Sequence, residues 1–261
     1  MKYGRFTGFS EKAVEFLKGI QMNNYEQYYQ DHKEEYETLI RLPMYALCTE
    51  LAPVIRTIDD KLDTRPVSAV ARLRRDTRFT KDKSPFRDHT WMGWRYPGER
   101  RSEGFHVYWG FGTDWIEIGC GSYTTDKKRM DALRETILNS GSEVEKIFLE
   151  PALNRDFQMS GELYKKMRAP DTVPESLRLL YRMKYFGFSS VNAQQQWEAF
   201  TSSELVSVIS GGLLTLAPVI QLMNRIMADT VLREEDEKEA EEQWQSGILK
   251  GTVRQPEEFE F

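Results

Sequence analysis

The sequence predicts a single α+β domain in which an antiparallel β-sheet is flanked by helices from the N-terminal and C-terminal parts of the chain. Apolar residues recur at helical spacing in the first third and again toward the end of the chain. The middle carries short aromatic and β-branched runs that are separated by turn residues. Because these runs follow one another without helices between them, they predict an antiparallel meander and not a doubly wound parallel sheet.

The helical first third begins after Ser10, a favourable N-cap. Gly19 and the asparagines at 23 and 24 are expected to end this helix and to cap a second one. The second helix carries four tyrosines on one stripe, namely Tyr25, Tyr28, Tyr29 and Tyr36. We expect these rings to be half-buried core residues, and a stacking platform for bases or sugars is the alternative.

The predicted meander consists of three aromatic or β-branched runs, "DHTWMGWRY" (88–96), "GFHVYWGF" (104–111) and "DWIEIGCGSY" (114–123). The preceding stretch "VSAVARLRR" (67–75) is predicted to be a strand that enters a charged segment. A further strand is predicted later in the chain at "MKYFGFSSV" (183–191).

The last part of the chain is predicted to be helical. One helix runs from Thr124 or Thr125 to Gly141, and another begins at Ser203 and ends at the glycines 211 and 212. A final amphipathic helix begins at Pro218. Residues 1–230 are therefore predicted to form the domain, and residues 231–261 an acidic tail that is partly helical or frayed.

Composition excludes several classes of protein. The formal net charge of the 261 residues is -5, so no overall field attracts nucleic acid or acidic lipid. The two cysteines have no close spacing, and the N-terminus lacks the apolar core of a signal peptide. The longest apolar run is too short to span a membrane. We therefore expect a soluble, cytoplasmic protein without a membrane partner, whose oligomeric state the sequence leaves open.

The strongest candidate for a functional site is "RRDTRFTKDK" (74–83), in a stretch from 72 to 87 that holds seven basic and two acidic residues. Guanidinium groups bind phosphate or carboxylate in a bidentate manner, and lysines add positive charge. The alternative is a set of internal salt bridges with a solvated loop. The candidate residues are Arg75, Asp76, Arg78, Lys81, Asp82, Lys83 and Arg87.

A second candidate is "GCGSYTTDK" (119–127), which includes Gly119, Gly121 and Tyr123 and precedes a helix. Amides at a helix N-terminus attract anions, and glycines allow a ligand to approach the backbone closely. An ordinary strand-to-helix connection is the alternative. If the sheet places this turn beside the basic segment, the two form one anion pocket.

The sequence lacks the common catalytic signatures, including a P-loop, a dinucleotide fingerprint, HExxH and GxSxG. Its three histidines have no metal-ligand spacing, so no metal site and no cofactor are predicted.

Several long stretches resemble a widespread, mainly bacterial family that is known only as a domain of unknown function. They include "FTGFSEKAVEFLKGIQMNN", "YYQDHKEEYETLIRLPMYALCTELAP" and "GCGSYTTDKKRMDALRETI", and the likeness covers about residues 6 to 228. The family pattern R-D-x-R-F-S-x-D-K-x-P-Y, followed by a basic residue, is matched at Arg75, Asp76, Arg78, Phe79, Asp82, Lys83, Pro85 and Arg87. Thr80 and Phe86 replace the usual Ser and Tyr. The resemblance implies a domain assignment but no activity, substrate or catalytic residue.

Three hypotheses follow from the sequence. In the first, Arg75, Arg78, Lys81 and Lys83 hold a small anion that carries phosphate, with Asp76 orienting them. Nucleic-acid binding, with a steep salt dependence, is a variant of this hypothesis. In the second, the protein is an enzyme that uses Asp76 or Asp82 as acid or base while the arginines stabilise negative charge. In the third, the basic segment or the acidic tail binds a protein partner.

Overall fold

The structure, a computed structural model, describes residues 2–78, 81–98, 104–122, 124–125 and 127–249, and mainly the backbone beyond residue 232. The N-terminal part is helical. Its elements are α1 (Lys12–Met22), α2 (Glu26–Asp31), α3 (Lys33–Glu35), a π-helical segment (Tyr36–Arg41), α4 (Leu42–Ile58) and α5 (Pro66–Ala69).

The sheet strands and the remaining helices follow. They are β1 (Thr90–Trp94), β2 (His106–Phe111), β3 (Ile116–Gly121), α6 (Lys127–Phe148), α7 (Pro151–Asp156), β4 (Phe157–Leu163), a 3₁₀ turn (Glu175–Leu177), α8 (Arg178–Tyr181), β5 (Met183–Ser190), α9 (Ala193–Ala199) and α10 (Glu204–Leu249). The described strands form one antiparallel sheet in the order β1-β2-β3-β5-β4. The predicted α+β fold class and the β1-β2-β3 meander are confirmed.

The two faces of the sheet differ in what covers them. Alternate residues such as Met92, Trp109 and Ile118 are buried under helices α4, α9 and α10, which contact strands β1 to β3. The opposite face carries Trp91 and Tyr108, which are only half-buried. One face of the sheet therefore forms the core, and the other carries partly exposed aromatic side chains.

Two predicted elements differ from the structure. The stretch 67–75 is not a strand, because Pro66 starts the short helix α5 and the following residues make only isolated bridges, Val70 with Met92 and Arg74 with Phe86. Strand β4 was not predicted. Its side chains are mostly exposed, as expected for a polar edge strand, so it lacks the apolar alternation that reveals a half-buried strand.

The glycines at 211 and 212 do not end a helix, contrary to the prediction. Helix α10 passes through both of them and through Pro218. A Cβ at Gly212 would lie 2.5 Å from Ile118 Cδ1, whereas a Cβ at Gly211 would have no neighbour within 4 Å. Gly212 therefore allows the helix to approach strand β3 closely. The helix continues through the acidic run 233–242 to Leu249, and the domain boundary at residue 230 stays a prediction.

Two helical stretches, Lys33–Ile58 and Glu204–Leu232, are long and apolar enough to cross a membrane by length and composition alone. Core helices of soluble proteins have the same properties, and these two stretches contact each other through α4 and α10. Neither stretch by itself indicates a membrane span. The absence of a membrane partner stays a prediction.

The adjacent glycines in α10 provide a matched test of this packing. We expect Gly211→Gln to raise the free energy of unfolding by about 0.5 kcal/mol, because glutamine is a better helix former at an exposed position. Gly212→Gln should lower it by about 1–3 kcal/mol, because the new side chain overlaps Ile118. Urea unfolding of both variants measures the difference. Effects of the same sign and size would contradict the close approach of α10 to the sheet.

Candidate functional site

The basic segment folds back on itself beside strand β1. The backbone N–H of Arg75 donates to the carbonyl of Pro85 at 2.8 Å, and the N–H of Arg87 donates to the carbonyl of Leu73 at 2.9 Å. Arg74 and Phe86 form an antiparallel bridge between these two bonds. The residues between Asp76 and Ser84 therefore form the connection between two short paired stretches.

Phe86 fixes this folded segment to the helical part of the domain. Its side chain is fully buried, and its ring stacks on Tyr29 with 4.6 Å between the ring centroids. The Asn24 side chain accepts a hydrogen bond from the Phe86 N–H at 2.9 Å and donates one to its carbonyl at 3.0 Å. Phe86 thus serves as a packing anchor.

Arg87 holds the arginine-bearing stretch in place. One guanidinium nitrogen, Nη1, donates to the carbonyls of Arg72 and Arg74, at 2.8 Å in each case. Partial burial lowers the pKa of Arg87 below its ordinary value, and the nearby charge of Arg75 adds to this effect. A half-buried guanidinium next to another cation is a favourable place for an anion.

An open groove of about 580 Å³ lies over these residues. Val67, Ala71 and Trp91 provide its apolar lining. Five arginines and one carboxylate provide its charged lining: Arg72, Arg74, Arg75, Arg87, Arg95 and Asp76. We call this cavity the arginine groove. Its lining is strongly cationic although the whole chain is acidic.

Carboxylates only partly neutralise these arginines. Arg74 contacts Glu26 with N···O distances of 2.6 and 2.8 Å, and Arg75 pairs with Asp82 at 3.0 Å. The Nε of Arg75 is buried and has no hydrogen-bond partner among the described residues. Arg72 is exposed, and within the described part of the chain its guanidinium makes no ion pair. The groove therefore retains donors that an anion can accept.

Asp76 is paired with Arg78, its neighbour two positions along the chain. Arg78 donates from Nε at 2.9 Å and from Nη2 at 2.8 Å, and its backbone N–H also donates to the carboxylate. These bonds to Arg78 lower the pKa of Asp76 to about 2. The stabilisation from this pair is therefore complete above the unfolded-state pKa, near 3.9, and is lost only as the pH falls through about 2.

Asp82 and Lys83 make hydrogen bonds to other residues of the same connection. Asp82 accepts hydrogen bonds from the backbone N–H and the hydroxyl of Ser84, and these bonds, with the charge of Arg75, lower its pKa. The Nζ of Lys83 donates to the carbonyl of Thr77 at 2.7 Å. Lys81 is exposed. None of these three residues lines the arginine groove.

The structure thus brings together only part of the predicted set. Arg75, Asp76 and Arg87 line the groove, whereas Arg78, Lys81, Asp82 and Lys83 lie outside its lining. The sequence-based set did not include Arg72, Arg74 and Arg95. The sequence could have identified Arg95. It lies four positions after Trp91 in the predicted strand, so both side chains face the same side of the sheet.

The second predicted site does not join the groove. Gly119 and Gly121 lie in β3 and pair with Ser189 and Gly187 of β5. A Cβ at Gly119 would lie 2.5 Å from the Tyr108 ring, and one at Gly121 would lie 2.4 Å from the Cα of Gly187. Close packing within the sheet therefore explains both glycines. Tyr123 lies outside the described residues.

The described residues contain no group of three or more His, Cys, Asp or Glu side chains that could hold a metal ion. Both cysteines are buried, and burial raises the pKa of the Cys48 thiol to about 12. The Cys48 thiol is therefore protonated at neutral pH.

Comparison with protein families gives one match. A model described as a conserved hypothetical protein (DUF2461) matches residues 12–221, which is most of the chain. This match confirms the resemblance to a family of unknown function, and it leaves the roles of the motif residues untested. A search of the curated proteins finds no match.

Urea unfolding can test whether Arg87 holds the stretch that carries Arg72 and Arg74 in place. We expect Arg87→Gln to lower the free energy of unfolding by about 1–2 kcal/mol, because the carbonyls of Arg72 and Arg74 lose a charged donor. Lys18→Gln removes the same charge from an exposed position of α1 and should leave the urea midpoint unchanged within error. Equal effects of the two substitutions would contradict this structural role.

Proposed function

The chain belongs to the conserved hypothetical protein family DUF2461, and we propose that it binds a small phosphate-bearing anion in the arginine groove. The observation that carries this proposal is the convergence of five arginines on one groove that has a single carboxylate among the described residues of its lining. Arginine forms paired hydrogen bonds with phosphate oxygens and stays charged throughout the physiological pH range.

The individual groups suit this role in different ways. Arg72 is exposed at the groove and can contact a ligand without first leaving an ion pair with a described residue. Arg75 offers its buried Nε, and Arg87 offers the donors that remain after Nη1 has bound two carbonyls. Arg95, held by a 3.2 Å bond from Nη1 to the Ser68 carbonyl, contributes from the other side of the groove. A phosphate placed among them would satisfy several donors together.

The enzyme hypothesis receives less support. A general acid or base acts best when its pKa lies near the working pH. Hydrogen bonds from Arg78 lower the pKa of Asp76 to about 2. The pKa of Asp82 is also lowered, and its hydrogen bonds from Ser84 are the largest cause. Both carboxylates are therefore ionised and weakly basic at neutral pH, which favours a role in orienting cations.

A cytoplasmic location stays a prediction, and so does a protein partner that binds the acidic tail or the basic segment. Nucleic acid is a possible larger source of phosphate for the same groove, and its binding would weaken steeply as salt concentration rises.

Binding of pyrophosphate and ATP to a pair of charge-matched variants tests the proposal. We expect wild type to bind at least one of these ligands, and Arg72→Gln to weaken that binding by about tenfold or more, because a charged hydrogen bond contributes about 1.5–3 kcal/mol. Lys18→Gln changes the net charge equally but lies on α1, outside the groove lining, so it should change the affinity by less than about threefold. Isothermal titration calorimetry at moderate salt measures all three proteins.

Two outcomes would contradict the proposal. One is the absence of binding to wild type. The other is equal weakening by the two substitutions, which would indicate attraction by net charge and not by the groove.

A further inference from the structure

A second cavity, of about 440 Å³, lies next to the arginine groove on the side of the N-terminal helices. Lys33, Arg41, Arg72 and Arg74 provide its cations, and Glu37 is the one carboxylate in its lining. We call it the helical cavity. Like the groove, it is lined by more positive than negative charge.

The two cavities border the same stretch of chain. Val67, Ala71, Arg72 and Arg74 line both of them. Arg72 is exposed at this shared border. Arg72 and Arg74 therefore offer positive charge to both cavities, and a ligand longer than one phosphate that passes this border meets cations on each side of it.

Part of the wall of the helical cavity is formed by a π-helical stretch of backbone. Tyr36, Glu37 and Arg41 belong to the π-helical segment, and π-helical turns are rare and occur frequently at functional sites. Tyr36 is buried, and it lines the helical cavity together with Arg72, Leu73 and Arg74. The π-helical segment therefore forms the wall of this cavity that faces the stretch shared with the arginine groove.

The cations of the helical cavity are accessible. Arg41 pairs with Glu37 at 2.5 Å, yet 44% of its side chain remains exposed. Lys33 is exposed and makes no ion pair with a described residue. Both side chains can therefore turn toward a bound anion.

The aromatic residues of this cavity are less suited to stacking on bases. Tyr29 stacks on Phe86, Tyr36 is buried, and Tyr45 makes an edge contact with Tyr3 at 5.0 Å between centroids. Recognition of single-stranded nucleic acid commonly uses exposed aromatic faces beside cations. The lining therefore favours a ligand that is recognised through its phosphates alone.

We propose that the ligand is a linear inorganic polyphosphate chain that occupies the arginine groove and extends past Arg72 into the helical cavity. This inference rests on the proposed function, since the arginine groove is its first binding position. It adds the class of ligand, and it assigns a binding role to Lys33, Arg41 and the π-helical segment.

Affinity as a function of chain length tests this inference. We expect the dissociation constant of wild type to fall by about tenfold or more from pyrophosphate to a longer polyphosphate, because additional phosphates reach additional cations. In the double variant Lys33→Gln/Arg41→Gln this gain should shrink to less than about threefold, while the affinity for pyrophosphate stays unchanged. The control Lys12→Gln/Lys18→Gln loses the same charge from exposed positions of α1 and should retain the full gain.

Three outcomes would overturn the inference, and each is distinct from failure of the proposed function. Pyrophosphate that binds in an Arg72-dependent manner without any gain from longer chains would leave the groove as the whole site. An equal loss of the gain in both double variants would indicate net charge alone. Oligothymidylate of matched charge that binds as tightly as polyphosphate would indicate a nucleic-acid backbone as the ligand. If neither pyrophosphate nor ATP binds wild type, the proposed function itself fails.

Discussion

The geometry of the candidate site depends on the contact between Arg87 and the carbonyls of Arg72 and Arg74. This guanidinium closes the folded basic segment, whose backbone is joined by the Arg75–Pro85 and Leu73–Arg87 hydrogen bonds. Without that closure, the cations of this segment would be free to point in different directions. With it, several arginines face one groove at the uncovered side of strand β1, and their mutual repulsion is balanced only in part by Glu26 and Asp82.

Much of the fold could be predicted from the sequence because its strands alternate clearly. Runs such as "GFHVYWGF" place apolar side chains on one face, and the structure buries that face under helices. Prediction failed where tertiary packing overrides a local signal. The glycines 211 and 212 are ordinary helix terminators, yet α10 passes through both, and a Cβ at Gly212 would lie 2.5 Å from Ile118 Cδ1. The edge strand β4 has no apolar alternation that a sequence can reveal.

The sequence named only some of the residues that line the arginine groove. Charge density pointed to a segment whose Arg75, Asp76 and Arg87 line the arginine groove. Charge density could not show which cations between Asp76 and Ser84 bond to their own neighbours. The Arg78–Asp76 pair and the Lys83 bond to Thr77 depend on the path of the backbone. Arg95 directly follows β1, and strand alternation from Trp91 could have identified it, whereas Lys33 comes from the distant helix α3. The approach of Lys33 to this stretch follows from the fold, so local sequence patterns alone do not reveal it.

The most direct test of the account is a crystal structure of the protein soaked with tungstate, a phosphate analogue that anomalous scattering can locate. The account predicts an anomalous peak in the arginine groove, within hydrogen-bonding distance (about 3 Å) of the guanidinium groups of Arg72, Arg75 and Arg87. An empty groove, with tungstate bound instead at the exposed Lys81 or at no position on the protein, would contradict it.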